Sequence, residues 1–173
     1  MKIANVLAYA QPIAARNALM QQPQPQNALS GPAGMGETDA LSIAARNVGM
    51  NEQDQGAALQ EYLANGGVNL DPQVTAWCAA YVNATLEQAG KQGTGSNLAR
   101  SFLDWGQGVA TPQRGDIGVL PRGAPGSNLG HVGFVDRVNP DGSIRLLSGN
   151  AGANGAVNYQ NYPANAFLGF RRG

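Results

Sequence analysis

The sequence predicts an α+β fold in which helices come first and a small antiparallel sheet follows. From Glu37 to about Gly106, apolar residues recur at three- and four-residue spacings. From Arg114 onward they fall into short runs broken by Gly and Pro, which is a strand pattern. A length of 173 residues allows one domain with a real core and is short for two. With 24 glycines and only 13% charged residues, the composition favours a loop-rich fold over a helical bundle.

The N-terminal region stands apart. Residues 2–19 suit a short helix, with Ile3, Val6, Leu7, Ala10 and Ile13 near one face. The stretch "MQQPQPQNALSGPAGMG" (20–36) is rich in Gln, Pro, Gly and Ala and reads as an extended linker. Residues 1–36 are therefore expected to be a flexible arm or docking tether, with the folded domain over 37–173. The octets "IAARNALM" (13–20) and "IAARNVGM" (43–50) share six positions, which chance in an Ala-rich chain accounts for. Lys2, Ala8 and Ala10 imitate a signal peptide, but the apolar stretch is short and interrupted by Asn5, so no cleaved leader is expected.

Within the domain, "TDALSIAARNVGM" has Thr38 or Asp39 as a cap and Gly49 as a stop. A second helix is expected over "EQDQGAALQEYLANGG" (52–67), with Ala58, Leu59, Tyr62 and Leu63 turned inward. A third covers "TAWCAAYVNATLEQAG" (75–90), beginning either at Asp71-Pro72 or at Thr75. "LARSFLDWG" (98–106) is a fourth and short one. The strands are expected in "RGDIGVLPRG", "GHVGFVDRV", "SIRLLSGN", "GAVNYQNYP" and "AFLGFRR". Asp116 in "RGD" (114–116) reads as a turn cap, and "GTGS" (93–96) as a turn.

Composition excludes several function classes. Eleven basic residues balance eleven acidic ones, which argues against nucleic acid or an anionic membrane surface as a partner. No apolar run is long enough for membrane insertion. A single cysteine, Cys78, and a single histidine, His131, cannot build a disulfide framework or a thiolate or imidazole metal site. No metal and no cofactor is expected.

That leaves the pair itself. Cys78 sits near a helix start, where the dipole and free N–H groups favour thiolate. His131 lies on a strand whose alternation puts Gly133 and Val135 on its side and Asp136 on the other. The turn "NPDG" (139–142) suits a four-residue hairpin loop. If Val138 pairs with Ser143, the register places His131 opposite Asn150, close enough for the amide to hold the imidazole. A bulge would break that inference. A small buried thiol and an unrelated structural imidazole remain the alternative on composition alone.

"WCAAYVNATL", "GTGS", "GDIGVL", "GHVGFV", "DGSIRLLSGN" and the terminal "GFRR" resemble the papain-like cell-wall peptidases of the NlpC-type and CHAP (cysteine, histidine-dependent amidohydrolase/peptidase) superfamily, in particular a branch found in phage tail proteins and bacterial hydrolases. The resemblance covers about residues 37–173. It implies a papain-like domain with Cys78 as nucleophile at the start of a central helix, His131 as general base, and Asn150 as the residue orienting the imidazole. Such domains often carry an acid two residues before that Asn, where this chain has Ser148. A serine adds no charge to hold an imidazolium, so an ion pair with Cys78 would rest on the helix terminus. Trp77 and Trp105 are candidates to wall a substrate groove, together with Ser148, though either tryptophan suits the core equally.

The implied substrate is peptidoglycan, cut within the stem peptide or at the amide joining muramic acid to L-Ala. The arm over 1–36 would dock on phage tail or secretion-machine proteins, placing the protein in a virion or delivering it to the bacterial periplasm and cell wall. The contrasting expectations are a non-catalytic virion or tail component that keeps the fold, and a delivered antibacterial amidase toxin with the same chemistry.

Overall fold

The structure is a computed structural model that describes residues 39–173. The expected arm over 1–36, its helix at 2–19 and Thr38 lie outside the described residues. Three α-helices come first: α1 (Ala40–Ala45), α2 (Gly56–Ala64) and α3 (Cys78–Gln88). A 3₁₀ helix, Ala99–Asp104, leads into the strands β1 (Gln107–Val109), β2 (Ile117–Pro121), β3 (Gly130–Val138), β4 (Ile144–Ala151), β5 (Ala156–Tyr162) and β6 (Gly169–Arg172). They form one antiparallel sheet in the order β1-β6-β2-β3-β4-β5. The α+β class read from the sequence is the class observed, and the arrangement is papain-like: helices, one of them opening on Cys78, packed on a small antiparallel sheet.

The helix starts show where local side-chain chemistry overrode periodicity. Asp39 caps α1 as expected, accepting from Ser42 N at 3.0 Å. α2 begins at Gly56 rather than Glu52 because Asn51 Oδ1 accepts from Gln53 N (3.0 Å) and Asp54 N (2.9 Å), closing a turn that competes with helix. Asp71 behaves similarly, accepting from Gln73 N at 2.9 Å, so the 71–75 segment is a turn. α3 therefore starts three residues after Thr75, and Cys78 is its first residue. The expected fourth helix is 3₁₀ throughout, and the short edge strand β1 was not anticipated.

α3 is the central element: every residue from Cys78 to Leu86 is buried. Trp77, Tyr81, Leu59, Leu63, Phe102, Val132, Phe134 and Leu147 form the main core between helices and sheet. Leu120, Val135, Ile144 and Leu146 build a second cluster, covered by Tyr162, Phe167 and Phe170. Tyr81 donates its hydroxyl to Ala44 O at 2.7 Å, fastening α1 to α3. The "GTGS" turn is held from below by buried Asn83, whose Oδ1 accepts from Thr94 N (2.7 Å) and whose Nδ2 donates to Ser96 O (2.9 Å).

Asp116 does cap its turn, accepting from Gln113 N at 2.7 Å. It is also the buried partner of Arg172, which donates through Nε and Nη2 at 2.7 Å each and so ties the C-terminal strand to the start of β2.

One close approach positions the site. A Cβ on Gly149 would lie 2.3 Å from Trp77 Cζ3 and 2.8 Å from Tyr81 Cβ. The backbone of β4 thus rests on the first turn of α3, which only a residue without a side chain permits.

Candidate active site

Cys78 is 4% exposed. The backbone N–H groups of Val132, the residue after His131, and of Cys78 and Ala79 at the start of α3 lie near enough to its sulfur to favour the thiolate. The only cysteine therefore lies against β3 one residue from the only histidine. Burial pushes the thiol pKa up, partly offset by those N–H groups and by the charge of Arg122. His131 is 9% exposed, and burial pushes its pKa down to about 4, with Arg122 adding to the shift. Thiol and imidazole are therefore both neutral near pH 7, and the ion pair considered from the sequence is not the resting state.

The ring is held by Ser148. His131 Nε2 and Ser148 Oγ are 2.8 Å apart, and Ser148 is fully buried. A hydroxyl both donates and accepts, so it suits either tautomer while adding no negative charge. With Nε2 engaged, Nδ1 is the ring nitrogen left for chemistry.

This placement corrects the role expected of Asn150. The hairpin closes one residue later than expected, with Val138 opposite Ile144, and a bulge between Val135 and Arg137 takes the offset back. Phe134 then faces Leu147, the pairing expected from the Val138–Ser143 start. The ladder does not continue to His131 and Asn150. A second bulge lies between Ser148 and Ala151 on the β5 side, and Asn150 adopts a φ of 52°. Its Nδ2 donates to Glu52 Oε2 at 3.2 Å instead. Ser148 reaches the ring diagonally across Gly133, where a Cβ would lie 2.7 Å from Ser148 Cβ and 2.4 Å from Leu147 O. Gly133 is the sequence signal that could have pointed to Ser148.

The two tryptophans also sit elsewhere than in a groove. Trp77 is fully buried, with its indole N–H donated to Glu52 Oε2 at 2.8 Å, so it has no face for a substrate. Trp105 donates to Gln92 O at 2.8 Å, packs beside Phe102 and against Gly173, and does not line the cavity beside His131. Ser148, buried on the imidazole, is likewise out of a substrate's reach.

Glu52 is the residue sequence reasoning passed over. It belongs to the Asn51 turn and joins two parts of the site: Trp77, next to Cys78, and Asn150, which shares the cavity of His131. Gly155 makes room for it, since a Cβ there would lie 2.3 Å from the Glu52 carboxyl carbon. Nothing in the polar run "NEQDQ" marks one acid over another.

Beside His131 opens a cavity of about 360 Å³. Leu120 and Tyr162 supply its apolar wall, and Arg122, Asn150 and Gln160 its polar one. The Tyr162 ring centroid lies 6.4 Å from that of His131.

Residues 70–150 match the family model of the CHAP domain. Over that segment the chain is similar to CHAP domains. No curated protein and no solved structure matches the chain at a significant level. CHAP domains are typically cysteine- and histidine-dependent amidohydrolases or peptidases, which gives the coarse class of activity. The match to the CHAP domain contains Cys78, His131, Ser148 and Asn150; Glu52, Gln160 and Tyr162 lie outside it. Among the described residues, no helix is long and apolar enough to cross a membrane, and no group of three or more His, Cys, Asp or Glu side chains could hold a metal ion.

Proposed function

We propose that this domain hydrolyses an amide bond of peptidoglycan through an acyl-enzyme on Cys78. The observation that carries the reading is the setting of the pair. A cysteine opening a buried helix rests on the strand of a histidine whose Nε2 is occupied by Ser148 and which borders a cavity.

In this reading proton transfer accompanies attack, which the neutral resting pair supports. His131 Nδ1 takes the Cys78 proton as sulfur attacks the scissile carbonyl carbon, so that charge separates only along the reaction coordinate. The carbonyl π pair moves to oxygen, and the oxyanion takes hydrogen bonds from backbone N–H groups at the start of α3. On collapse the C–N bond breaks, and imidazolium Nδ1–H protonates the leaving amine. A water then gives its proton to Nδ1 and attacks the thioester, and the thiol recovers the proton as the acid leaves. Ser148 Oγ accepts from Nε2–H throughout, and Asn150 borders the substrate rather than orienting the ring.

Cleavage within the stem peptide and cleavage at the muramoyl–L-Ala amide both fit this chemistry. Delivery by a phage tail or secretion machine, with residues 1–36 as tether, belongs to the proposal on the composition of that segment. An antibacterial toxin would use the same chemistry. The deep burial of Cys78 is the observation that favours the contrasting reading, a fold kept for assembly without catalysis.

The test is digestion of purified sacculi of several wall chemotypes by the full chain, with mass spectrometry of what is released. Soluble fragments with new amine and carboxyl termini are expected, and their masses separate the two cuts. A folded protein that releases nothing from any wall leaves the structural reading standing.

Within the same reading Glu52 is a positioning residue. Glu52→Ala, which frees Trp77 Nε1 and Asn150 Nδ2, is expected to lower kcat about tenfold, the worth of roughly one charge-assisted hydrogen bond, with a smaller change in KM. Glu52→Gln keeps an acceptor and should recover most of the loss. Equal losses in both variants, tracking a fall in melting temperature, would assign Glu52 to stability alone.

A further inference from the structure

The cavity beside His131 is uneven in charge. Arg122 is its one charged lining residue, and no carboxylate lines it. Among the described residues the Arg122 guanidinium forms no hydrogen bond or ion pair, unlike Arg114, Arg137, Arg145 and Arg172, each of which has an acidic partner. A second donor stands in the same wall. Tyr162 donates its hydroxyl to Gln160 Oε1 at 2.6 Å, which fixes the amide and leaves Nε2 with its two hydrogens. That nitrogen lies toward Gly152, another cavity residue, at 4.0 Å from where a Cβ would stand.

We propose that this cavity is a carboxylate subsite, in which Arg122, with Gln160 Nε2 as second donor, selects a substrate bearing a free carboxylate close to the scissile amide. The inference rests on the hydrolase reading and deepens it by naming the substrate class. A guanidinium offers a planar fork that matches a carboxylate in shape and charge, whereas a carboxamide matches it in neither respect. Leu120 and the Tyr162 ring give the aliphatic part of the same residue an apolar wall.

Arg122 also stands close enough to disfavour the imidazolium of His131. A substrate carboxylate paired with Arg122 would offset that charge, so the base gains basicity when the right substrate is bound. Discrimination by a site built to pair a charged group is larger than discrimination by shape alone.

The experiment is calorimetric titration of the full chain carrying Cys78→Ala, which cannot turn the ligand over. The probes are the peptidoglycan stem tetrapeptide with free carboxylates and the same peptide amidated at every carboxylate. The free-carboxylate peptide is expected to bind at least about tenfold tighter, the worth of one charge-assisted pair. That ratio should fall to near one in Cys78→Ala/Arg122→Gln and invert in Cys78→Ala/Arg122→Glu. Arg122 is exposed, so these changes leave the core intact.

Equal binding of the two peptides, a ratio that survives Arg122→Gln, or no binding of either peptide overturns the subsite. Wild-type digestion of sacculi separates the two ideas. Digestion without carboxylate preference sinks the subsite alone, and carboxylate binding without digestion sinks the hydrolase reading alone.

Discussion

Replacing Cys78 by alanine is expected to abolish fragment release from sacculi, with a fall of at least about a thousandfold against the parent. The reason lies in the neutral resting pair. Burial keeps the thiol protonated until substrate arrives, so the sulfur becomes a nucleophile only through proton transfer to His131. Alanine leaves neither an acyl acceptor nor a group for the imidazole to deprotonate. Cys78→Ser should fail almost as fully, because a hydroxyl holds its proton far more tightly than a thiol and the imidazole, with its depressed pKa, is a weak base. The fold should survive both changes. The site is the first residue of α3, and a small residue there keeps the helix start, so stability should move by no more than about 1 kcal/mol. Soluble fragment release measured beside thermal unfolding checks both statements. A folded Cys78→Ala protein that still digests walls would remove Cys78 from the chemistry.

The second large effect concerns stability against pH and comes from one side chain. His131 is the chain's only histidine, and no other side chain has an ordinary pKa between 5 and 7. Its folded pKa of about 4 lies below the 6.5 of the unfolded chain. As pH falls through 6.5 the unfolded chain takes up a proton that the folded one does not, so stability decreases. The decrease ends once pH passes below the folded pKa, where both states are protonated. The difference corresponds to roughly 3 kcal/mol lost between pH 7 and pH 4, with about 2 kcal/mol gone by pH 5.

Denaturant unfolding of the full chain at pH 7.5, 6.5, 5.5 and 5.0 measures that slope at about those pH values. In His131→Gln the slope between pH 7 and 5 should vanish, whatever the variant's absolute stability. A parent curve that is flat over this range would mean that the imidazole titrates normally, and the neutral-pair mechanism would fall with it.

The sequence by itself determined the class of the fold and the elements that carry the site. The change of period after Gly106, the cap at Asp39 and the stretch around Cys78 all depend on neighbours within one helical turn or one strand. Such contacts are written in short range, and they hold in the structure. The hairpin bearing His131 was equally legible, because "NPDG" turns the chain wherever it stands.

What the tertiary structure alone decided is who partners whom. The bulge between Ser148 and Ala151, the space left by Gly133 and the φ of Asn150 together gave the imidazole to Ser148. Strand alternation has a period of two, so each bulge shifts which side chains face one another, and no local pattern announces a bulge. Glu52 reaches Asn150 across 98 residues, a contact set by how α3 and β4 pack rather than by any spacing. The neutrality of the Cys78–His131 pair is likewise a product of burial. Desolvation depends on everything packed around a group, and it exists only once the chain has folded.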